Sequence, residues 1–423
     1  MSTRSRTLRL GTRGSDLALR QAAAVKERLE RRRQTVELVE VETTGDRIDD
    51  ELIHRLGKTG AFVRDLDEEV LAGEIDAAVH SMKDVPTEMP DELVVAGVPE
   101  RAVAGDVLVT PDGASLAALP EGSTVGTSSL RRRAQLLADR SDLEVVPLRG
   151  NVDTRVEKLL GPSLQREHER RLEAEGAFEP DLPADEANAD VTIEDVNGNG
   201  KSANGESADG GDSDEDDADG GDADEDDADS GDADVGDTNA DEDTGFDRTA
   251  EEWFDDLAEI ERRALERDVG TEYNAIVLAE AGLERSGLLH HVAHERLPTT
   301  QFVPAPGQGT LAVTAADEDV VAAVREAVDR PHTRVEATVE RTVLAELGGG
   351  CIAPVGIYAV LQGPVVRTTV RVLDRDGEES VAESRDLPVE RHREAARAFA
   401  SDLADRGAAD LIERARKRAE EEA

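Results

Sequence analysis

The sequence has few of the residues that cross-link small secreted domains or span membranes. It has one cysteine in 423 residues and only 2% aromatic residues, so an internal disulfide is excluded and the cores must be built from Val, Leu, Ala and Ile. No run approaches the roughly 18 to 20 apolar residues that span a bilayer, and the N-terminus lacks the apolar stretch of a secretory signal. We therefore expect a cytoplasmic protein in a reducing compartment, with no membrane partner.

Basic charge is also scarce. The chain has 96 Asp and Glu against 49 Lys and Arg, a net charge of −47, and almost all its basic residues are arginine. A lysine-poor acidic surface is typical of a salt-rich cytoplasm, where carboxylates hold hydration and salt screens their repulsion. The alternative is an ordinary acidic protein with one disordered acidic segment. In either case so negative a molecule is a poor partner for nucleic acid.

About half of the excess negative charge lies in residues 181–250, which hold 27 Asp and Glu against 2 Lys and Arg, a net of −25. An Asp-rich ten-residue unit begins at Gly211 and again at Gly221. The segment has too little apolar surface to offset its ordering entropy, so we expect it to be disordered. Calcium binding is the alternative, but the segment lacks the Glu that ends a twelve-residue calcium-binding loop. Exposed helices are predicted at its borders, over Ser163–Gly176 and Ala250–Asp268.

Elsewhere, short β-branched runs alternate with helical patterns. Strands are predicted over Leu8–Leu10, Ile75–Val79, Thr124–Val125, Val145–Leu148 and Ala275–Leu278, and helices from about Asp16, Leu130 and Asp153. This alternation indicates α/β units with largely parallel sheets. After Cys351, a strand over Val365–Leu373, a turn over Asp374–Gly377 and a long helix from about Val389 indicate a small α+β domain. We predict three domains.

Three turns lead from a strand into a helix and carry hydroxyl-bearing residues or arginines. They are Gly11–Ser15, Gly126–Arg132 and Arg149–Arg155. Helix N-termini favour anions, and ligands of open α/β sheets bind at the carboxyl ends of the strands, where these turns meet. Since guanidinium binds carboxylate in a bidentate manner, a ligand with several carboxylates fits best. The alternative is that Ser15, Ser129 and Asp153 only cap their helices while the arginines form surface ion pairs.

Two further segments carry candidate chemistry. In His80–Pro86, Asp84 beside Lys83 suits a general acid/base or a group that stabilises a developing cation, unless the two only form an exposed ion pair. Cys351 follows three glycines, which allow close approach, so the thiol suits covalent chemistry. The alternative is an inert, buried cysteine.

Together these segments resemble the hydroxymethylbilane synthase (porphobilinogen deaminase) family. The matching segments are Thr12–Ser15 with Leu17, Ala18 and Gln21; Thr44–Asp46; Ala78–Pro86; Gly126–Arg132; Leu148–Val152 with Arg155; Leu278–Leu283 with Arg285; Pro304–Gly309; Glu340–Arg341; and Gly349–Cys351 with Pro354. They follow the family order along the whole chain except about residues 161–268. His80–Pro86 and Gly126–Arg132 are the most specific.

The resemblance implies an enzyme that joins four porphobilinogen molecules head to tail into hydroxymethylbilane and releases ammonia. Cys351 would hold a dipyrromethane cofactor through a thioether, and Asp84 would stabilise the azafulvenium cation left when ammonia departs. The implied cofactor-binding residues are Ser81, Lys83, Thr127, Ser128, Ser129, Arg131 and Arg132. The implied substrate-binding residues are Arg13, Ser15, Gln21, Arg149, Arg155 and Arg285. No metal is implied.

The implied fold is two periplasmic-binding-protein-like α/β domains and a small α+β C-terminal domain. Domain 1 would comprise residues 1–101 and 310–327, domain 2 residues 105–305 with the acidic insert at about 161–268, and domain 3 residues 331–423. The family suggests a monomer, with transient contact to a downstream uroporphyrinogen-III synthase as a further partner. In one departure, Thr59 stands where the family usually has lysine, with Lys58 one place early, which puts the cofactor contact of Lys58 in doubt.

Two other classes of protein are weighed against the enzyme. A two-lobed anion-binding protein without catalysis accounts for the arginines and helix N-termini but leaves Asp84 and Cys351 unexplained. An acidic scaffold or chaperone that uses residues 181–250 leaves the rest of the chain unexplained.

Overall fold

The structure, a computed structural model, describes residues 7–32, 34–42, 61–176, 246–348 and 353–421. It forms two compact units, one of Met1–His168 with Glu251–Ala423 and one of Glu169–Ala250. Most of the acidic segment lies outside the described residues, so its predicted disorder stays a prediction. Among the described residues, no helix is long and apolar enough to cross a membrane.

Among its described residues, the larger unit has thirteen strands in three sheets. The strands are β1 (Leu8–Thr12), β2 (Val36–Glu40), β3 (Ala77–Ser81), β4 (Val94–Gly97), β5 (Asp106–Val109), β6 (Thr124–Gly126), β7 (Glu144–Val146), β8 (Ala275–Ala279), β9 (His294–Arg296), β10 (Leu311–Ala315), β11 (Val355–Gln362), β12 (Val365–Leu373) and β13 (Ser380–Pro388). The helices are α1 (Asp16–Glu30), α2 (Ala61–Ala72), α3 (Leu130–Asp139), α4 (Val152–Ala174), α5 (Ala250–Asp256), α6 (Glu259–Leu265), α7 (Glu280–Ser286), α8 (Glu318–Val328), α9 (Pro331–Glu346), α10 (His392–Leu403) and α11 (Ala409–Glu421).

The first sheet has the order β2-β1-β3-β10-β4, and only β10 runs against the other four strands. Its core includes Leu10 and Val313 from the sheet with Leu29 from α1. Helix α1 begins at Asp16, as predicted, and buries Ala22, Val25 and Leu29. The apolar spacing of α1 therefore matches the face that packs on the sheet.

The second sheet repeats this plan. Its order is β7-β6-β8-β5-β9, and β5 is the one reversed strand. Leu148, Leu159, Ile276 and Leu283 form part of its core. The predicted strands at 124–125, 145–148 and 275–278 correspond to β6, β7 and β8 within about three residues. Both sheets are thus mostly parallel, as the alternating pattern predicts.

The third sheet is antiparallel, with the order β11-β12-β13, and it packs against α9, α10 and α11 around Phe399. The predicted strand Val365–Leu373 is β12. The single long C-terminal helix predicted from Val389 is wrong. A short 3₁₀ turn precedes α10, and a π-helical segment over Ala404–Ala408, where Gly407 has a φ of 103°, separates α10 from α11. Gly407 tolerates this left-handed backbone, which breaks one apolar pattern into two helices.

The helices that flank the acidic segment differ from the prediction in two ways. The predicted helix over 163–176 is the second half of α4, which continues through Pro162. The predicted helix over 250–268 is divided into α5 and α6. Within the larger unit, the buried carboxylate of Glu157 on α4 accepts a 2.6 Å hydrogen bond from Arg267 Nε and pairs with Arg263 on α6. Helices α4 and α6 are therefore cross-linked independently of the segment between them.

Candidate active site

A short 3₁₀ turn presents Asp84 at the end of β3. The turn covers Met82–Asp84, and Met82 is buried at 2% exposure while Lys83 and Asp84 are exposed. The Met82 amide donates to the Thr310 carbonyl at 2.9 Å, which fixes the turn against the strand beside it. In the described part of the chain Lys83 and Asp84 make no ion pair with each other. The Asp84 carboxylate is thus available to a ligand.

The base of this turn is held by a buried polar group. His80 Nε2 lies 3.0 Å from Asp67 Oδ1 and 3.0 Å from Thr314 Oγ1, and Thr314 Oγ1 donates to Asp67 at 3.0 Å. All three side chains are buried. Because buried polar groups are costly to leave unpaired, this network fixes the end of β3 immediately before Ser81, which is half-buried.

The loop Pro304–Gly309 connects the Asp84 turn to the second sheet. Gly307 has a φ of 76°, and a Cβ there would lie 2.7 Å from Met82 Cγ and 3.1 Å from the Lys83 amide nitrogen. The position therefore requires glycine, because a side chain would displace the turn. The next residue, Gln308, donates through Nε2 to Asp106 Oδ1 at 2.8 Å. One loop thus contacts both the Asp84 turn and the start of β5.

Asp106 pairs with both arginines of the second predicted turn. Its Oδ2 lies 2.8 Å from Arg131 Nη2, and its Oδ1 accepts from Arg132 Nη2 at 2.8 Å. All three side chains are buried. Burial raises the pKa of the Asp106 carboxyl, but the charges of Arg131 and Arg132 outweigh burial and lower this pKa to about 2. Two guanidinium groups share one carboxylate, which leaves one positive charge in excess.

The hydroxyl groups of the same turn form hydrogen bonds with backbone atoms. Ser129 caps α3, where its Oγ accepts from the Arg132 amide at 3.4 Å, and the Ser129 amide donates to Thr127 Oγ1 at 3.2 Å. Ser128 Oγ donates to the Leu148 carbonyl at 2.6 Å. Thr127 is buried and both serines are half-buried. These bonds hold the second turn against the segment that begins the third.

Arg149 and Arg155 of the third turn lie close to the second turn. Arg155 is half-buried and donates through Nε to the Gly150 carbonyl at 2.8 Å. Burial, together with repulsion from Arg132 and Arg149, lowers the pKa of the Arg155 guanidinium to about 10. The three charges therefore repel one another, and an anion bound among them would relieve that repulsion.

Arg285 on α7 contacts the loop Pro304–Gly309. Its Nη2 donates to the Gly309 carbonyl at 2.7 Å, and burial lowers the pKa of its guanidinium. The loop 307–309 therefore contacts the Asp84 turn, the Asp106 group and Arg285 through three consecutive residues. This loop belongs to the sequence pattern of the family, but its role in connecting these groups could not be inferred from the sequence.

The first turn lies at the start of α1. Ser15 caps the helix by accepting from the Ala18 amide at 3.4 Å, and Arg13 and Gln21 are half-buried. The following residue, Asp16, lines a pocket of about 370 Å³ together with Asp153 of α4. This pocket therefore lies beside the residue that follows the first turn and beside one residue of the third turn. Ser15 and Ser129 are N-caps as expected; Asp153 is not, because α4 begins one residue earlier and Asp153 lies in its first turn.

Helix α9 supports the site from outside the two large sheets. Glu340 is fully buried, pairs with Arg101 at 2.7 Å and accepts from the Gly307 amide at 2.6 Å. The next residue, Arg341, donates to the carbonyls of Val85 at 2.7 Å and Pro86 at 2.6 Å, directly after Asp84. The pair Glu340–Arg341 belongs to the sequence pattern, but only the structure reveals that it holds both the loop and the Asp84 turn.

Several residues of the sequence pattern lie outside the described residues. They are Thr44–Asp46, Lys58, Thr59 and Cys351. The roles predicted for Lys58 and Cys351 therefore stay predictions.

Comparisons with known proteins identify the family to which the chain is similar. A family model described as "Porphobilinogen deaminase, dipyromethane cofactor binding domain" matches residues 8–166 and 258–323, and one described as "Porphobilinogen deaminase, C-terminal domain" matches residues 334–405. The chain is 55% identical over 416 residues to a probable porphobilinogen deaminase of Halobacterium salinarum, covering 98% of this chain and all of that protein. It is 34% identical over 405 residues to the porphobilinogen deaminase of Rubrobacter xylanophilus, covering 95% of each chain. A probable porphobilinogen deaminase of Methanococcoides burtonii is 30% identical over 96% of each chain.

These matches and the fold define a dipyrromethane-dependent transferase with two α/β domains and a small C-terminal domain. The chain belongs to the porphobilinogen deaminase family. It is an enzyme of tetrapyrrole biosynthesis that forms hydroxymethylbilane, and its similarity to the Halobacterium protein accords with the halophilic character predicted from its acidic surface.

Proposed function

We propose that the three turns described above hold the carboxylates of the dipyrromethane cofactor and of porphobilinogen while Asp84 assists each condensation. The observation that carries this proposal is the convergence of Arg132, Arg149 and Arg155: burial and the charges of Arg132 and Arg149 lower the pKa of the Arg155 guanidinium to about 10. Like charges brought together in a partly buried place repel one another, and a bound anion relieves that repulsion. Pyrroles that carry acetate and propionate arms supply such anions.

The residues near the second turn fit a carboxylate-bearing cofactor. Arg131 and Arg132 retain one positive charge after pairing with Asp106, and Lys83 is exposed beside Asp84. Ser81 and the hydroxyl-bearing residues Thr127, Ser128 and Ser129 complete the proposed set. When bound, the dipyrromethane supplies a nucleophilic pyrrole carbon to which the first substrate is joined. We assign its thioether anchor to Cys351, the only thiol in the chain.

The substrate carboxylates are assigned to Arg13, Ser15, Gln21, Arg149, Arg155 and Arg285. These side chains bind and orient porphobilinogen. The Asp84 carboxylate, exposed on its fixed turn, stabilises the positive charge that develops on the substrate when ammonia leaves. After coupling, Asp84 is also positioned to accept or pass on the proton that the joined pyrrole loses.

The direct test of the activity is incubation of the protein with porphobilinogen in high salt. We expect ammonia release in step with the appearance of a linear tetrapyrrole. Tight binding of porphobilinogen without ammonia release would instead identify an anion-binding protein without catalysis, and would refute the proposed function.

The cofactor anchor has its own test. The intact mass of the active protein should exceed that of its sequence by one dipyrromethane, and the Cys351→Ser variant should have the unmodified mass. The measurement is mass spectrometry of the denatured protein, so a loosely bound pigment does not contribute. Full activity with an unmodified thiol at Cys351 would contradict the assignment.

We propose that the acidic segment is dispensable for chemistry. Outside this segment, Glu157 on α4 pairs with Arg263 on α6, and the rings of His168 and Trp253 stack with centroids 5.9 Å apart within the larger unit. Replacement of residues 177–245 by a short Gly/Ser linker should leave turnover within about twofold, because loop length changes stability only weakly. Steady-state kinetics in high salt provides the measurement. A variant that folds normally yet has lost turnover would refute dispensability.

We also propose how the whole protein is divided into domains. We assign residues 1–101 with 310–327 to the first domain, 105–305 to the second and 331–423 to the third. We also propose that the protein acts as a monomer in the cytoplasm and passes its product to a uroporphyrinogen-III synthase through transient contact.

A further inference from the structure

A pocket rich in arginine is lined by Met82 and Thr87 on either side of Asp84 in the sequence, and by no residue of the three turns. Its volume is about 340 Å³. Met82 and Thr87 line it from the Asp84 segment, and the remaining lining comes from the region of β4, from α9 and from α10. Four arginines face this pocket: Arg334 and Arg341 on α9, and Arg393 and Arg397 on α10. Glu346 is the only carboxylate that the described residues contribute to its lining.

Two of the four arginines have their charge neutralised. Arg334 pairs with Asp329 at 2.7 Å, and Arg397 pairs with Glu346 at 3.0 Å. Arg341 and Arg393 form no ion pair with any residue in the described ranges. The lining therefore carries two uncompensated positive charges, in a chain whose net charge is −47.

Arg341 retains hydrogen-bond donors for a ligand. A guanidinium group has five N–H donors, and Arg341 uses one on Nη1 for Val85 and one on Nη2 for Pro86. Burial lowers the pKa of this guanidinium, consistent with a cation that lacks a counter-ion. Arg393 is exposed at the pocket edge and lies one helical turn before Arg397.

We propose that this pocket binds a small dianion, either phosphate or an aliphatic dicarboxylate, between Arg341 and Arg393. A dianion matches the two uncompensated charges, and the planar guanidinium groups suit the paired oxygens of both ligand types. The neutral side chains Thr338 and Thr342 of α9 line the same pocket. The Thr338 hydroxyl is a further donor, whereas the Thr342 hydroxyl donates to the Thr338 carbonyl at 2.7 Å. A ligand here contacts Arg341, which holds the backbone immediately after Asp84.

Isothermal titration calorimetry of the cofactor-loaded protein with sodium phosphate, and separately with sodium succinate, at constant high sodium chloride tests the proposal. At least one of the two should bind with a stoichiometry of one in the absence of substrate. Arg393→Glu should weaken that binding at least tenfold. The matched control is Arg391→Glu, which changes the net charge equally at an exposed residue outside the pocket. Binding of one probe only identifies which oxyanion geometry the pocket accepts.

Hydrogen exchange locates the bound anion. We expect slower exchange in residues 82–87 and at the start of α10 when the binding probe is present. Protection confined to residues 126–155 would place the anion in the cleft of the three turns and overturn the proposal. Absence of binding by both probes, or equal weakening by Arg391→Glu and Arg393→Glu, would overturn it as well. None of these outcomes depends on the role proposed for Asp84, since binding and exchange are measured without turnover.

Discussion

The Asp84→Asn variant should lose about 10² to 10⁴-fold in kcat while it folds normally and retains its cofactor. General acid/base catalysis and stabilisation of developing charge each contribute effects of this size. Asn has nearly the same shape as Asp but carries no negative charge, so it cannot stabilise a cation on the substrate. Asp84 is exposed on its turn, and its replacement leaves the buried contacts of Met82 and His80 intact. The measurement is ammonia release from porphobilinogen under saturating conditions.

A matched control for this variant is Asp91→Asn. Asp91 is also exposed and follows the same segment toward β4, so it reports the effect of removing one surface carboxylate. It should leave kcat within about twofold, as expected of surface substitutions away from the site. If Asp84→Asn and Asp91→Asn had the same kcat, Asp84 would have no part in catalysis.

Asp106→Asn should lower the free energy of unfolding by roughly 3 to 5 kcal/mol, the range observed when one partner of a buried ion pair is removed. The variant leaves Arg131 and Arg132 buried without a counter-charge, and it disturbs the hydrogen bond to Gln308. We also expect turnover to fall, because both arginines and the loop at 308 lose the group that orients them. Chemical denaturation in high salt measures the stability. The exposed Asp112→Asn serves as control, since its amide oxygen can still accept from the Ala114 amide.

The same carboxylate predicts a specific pH dependence. The pKa of Asp106 is lowered to about 2 in the folded protein, whereas an unfolded Asp titrates near about 3.9. A lowered pKa contributes stability that is fully present above about pH 4 and is lost as the pH falls through about 2. The free energy of unfolding of Asp106→Asn should therefore decline less over this interval than that of the natural chain. Parallel curves for the two proteins would contradict the pairing.

The sequence predicted most of the elements that carry the site because their signals are local. Ser129 before Leu130 is a helix start that can be read from neighbouring residues, and the structure places Ser129 as the cap of α3. The spacing of Ala22, Val25 and Leu29 likewise gave the buried face of α1. By contrast, the break at Gly407 could not be predicted, because a glycine within a helical pattern is compatible with either a continuous or an interrupted helix.

The pairing of the site arginines could not be read from the sequence for a different reason. Asp106 lies 25 residues before Arg131, on a strand whose pattern is simply that of a buried strand. Only the antiparallel addition of β5 to β8 places its carboxylate beneath α3. The sequence analysis therefore assigned Arg131 and Arg132 to a ligand and missed their internal partner. The role of Arg341 was missed for the same reason, since its hydrogen bonds span 255 residues or more.

The contacts of Gly307, Gln308 and Gly309 have a consequence for how the tetrapyrrole grows. Three adjacent residues contact the Asp84 turn, the Asp106 group and Arg285. A displacement of Asp84 from these arginines would disturb the packing of Gly307 on Met82 and the hydrogen bonds made by Gln308 and Gly309. We therefore predict that a product that lengthens by one ring in each cycle moves past a reaction centre that keeps this arrangement. We expect the completed rings to be displaced from the reaction centre each time a new ring is added.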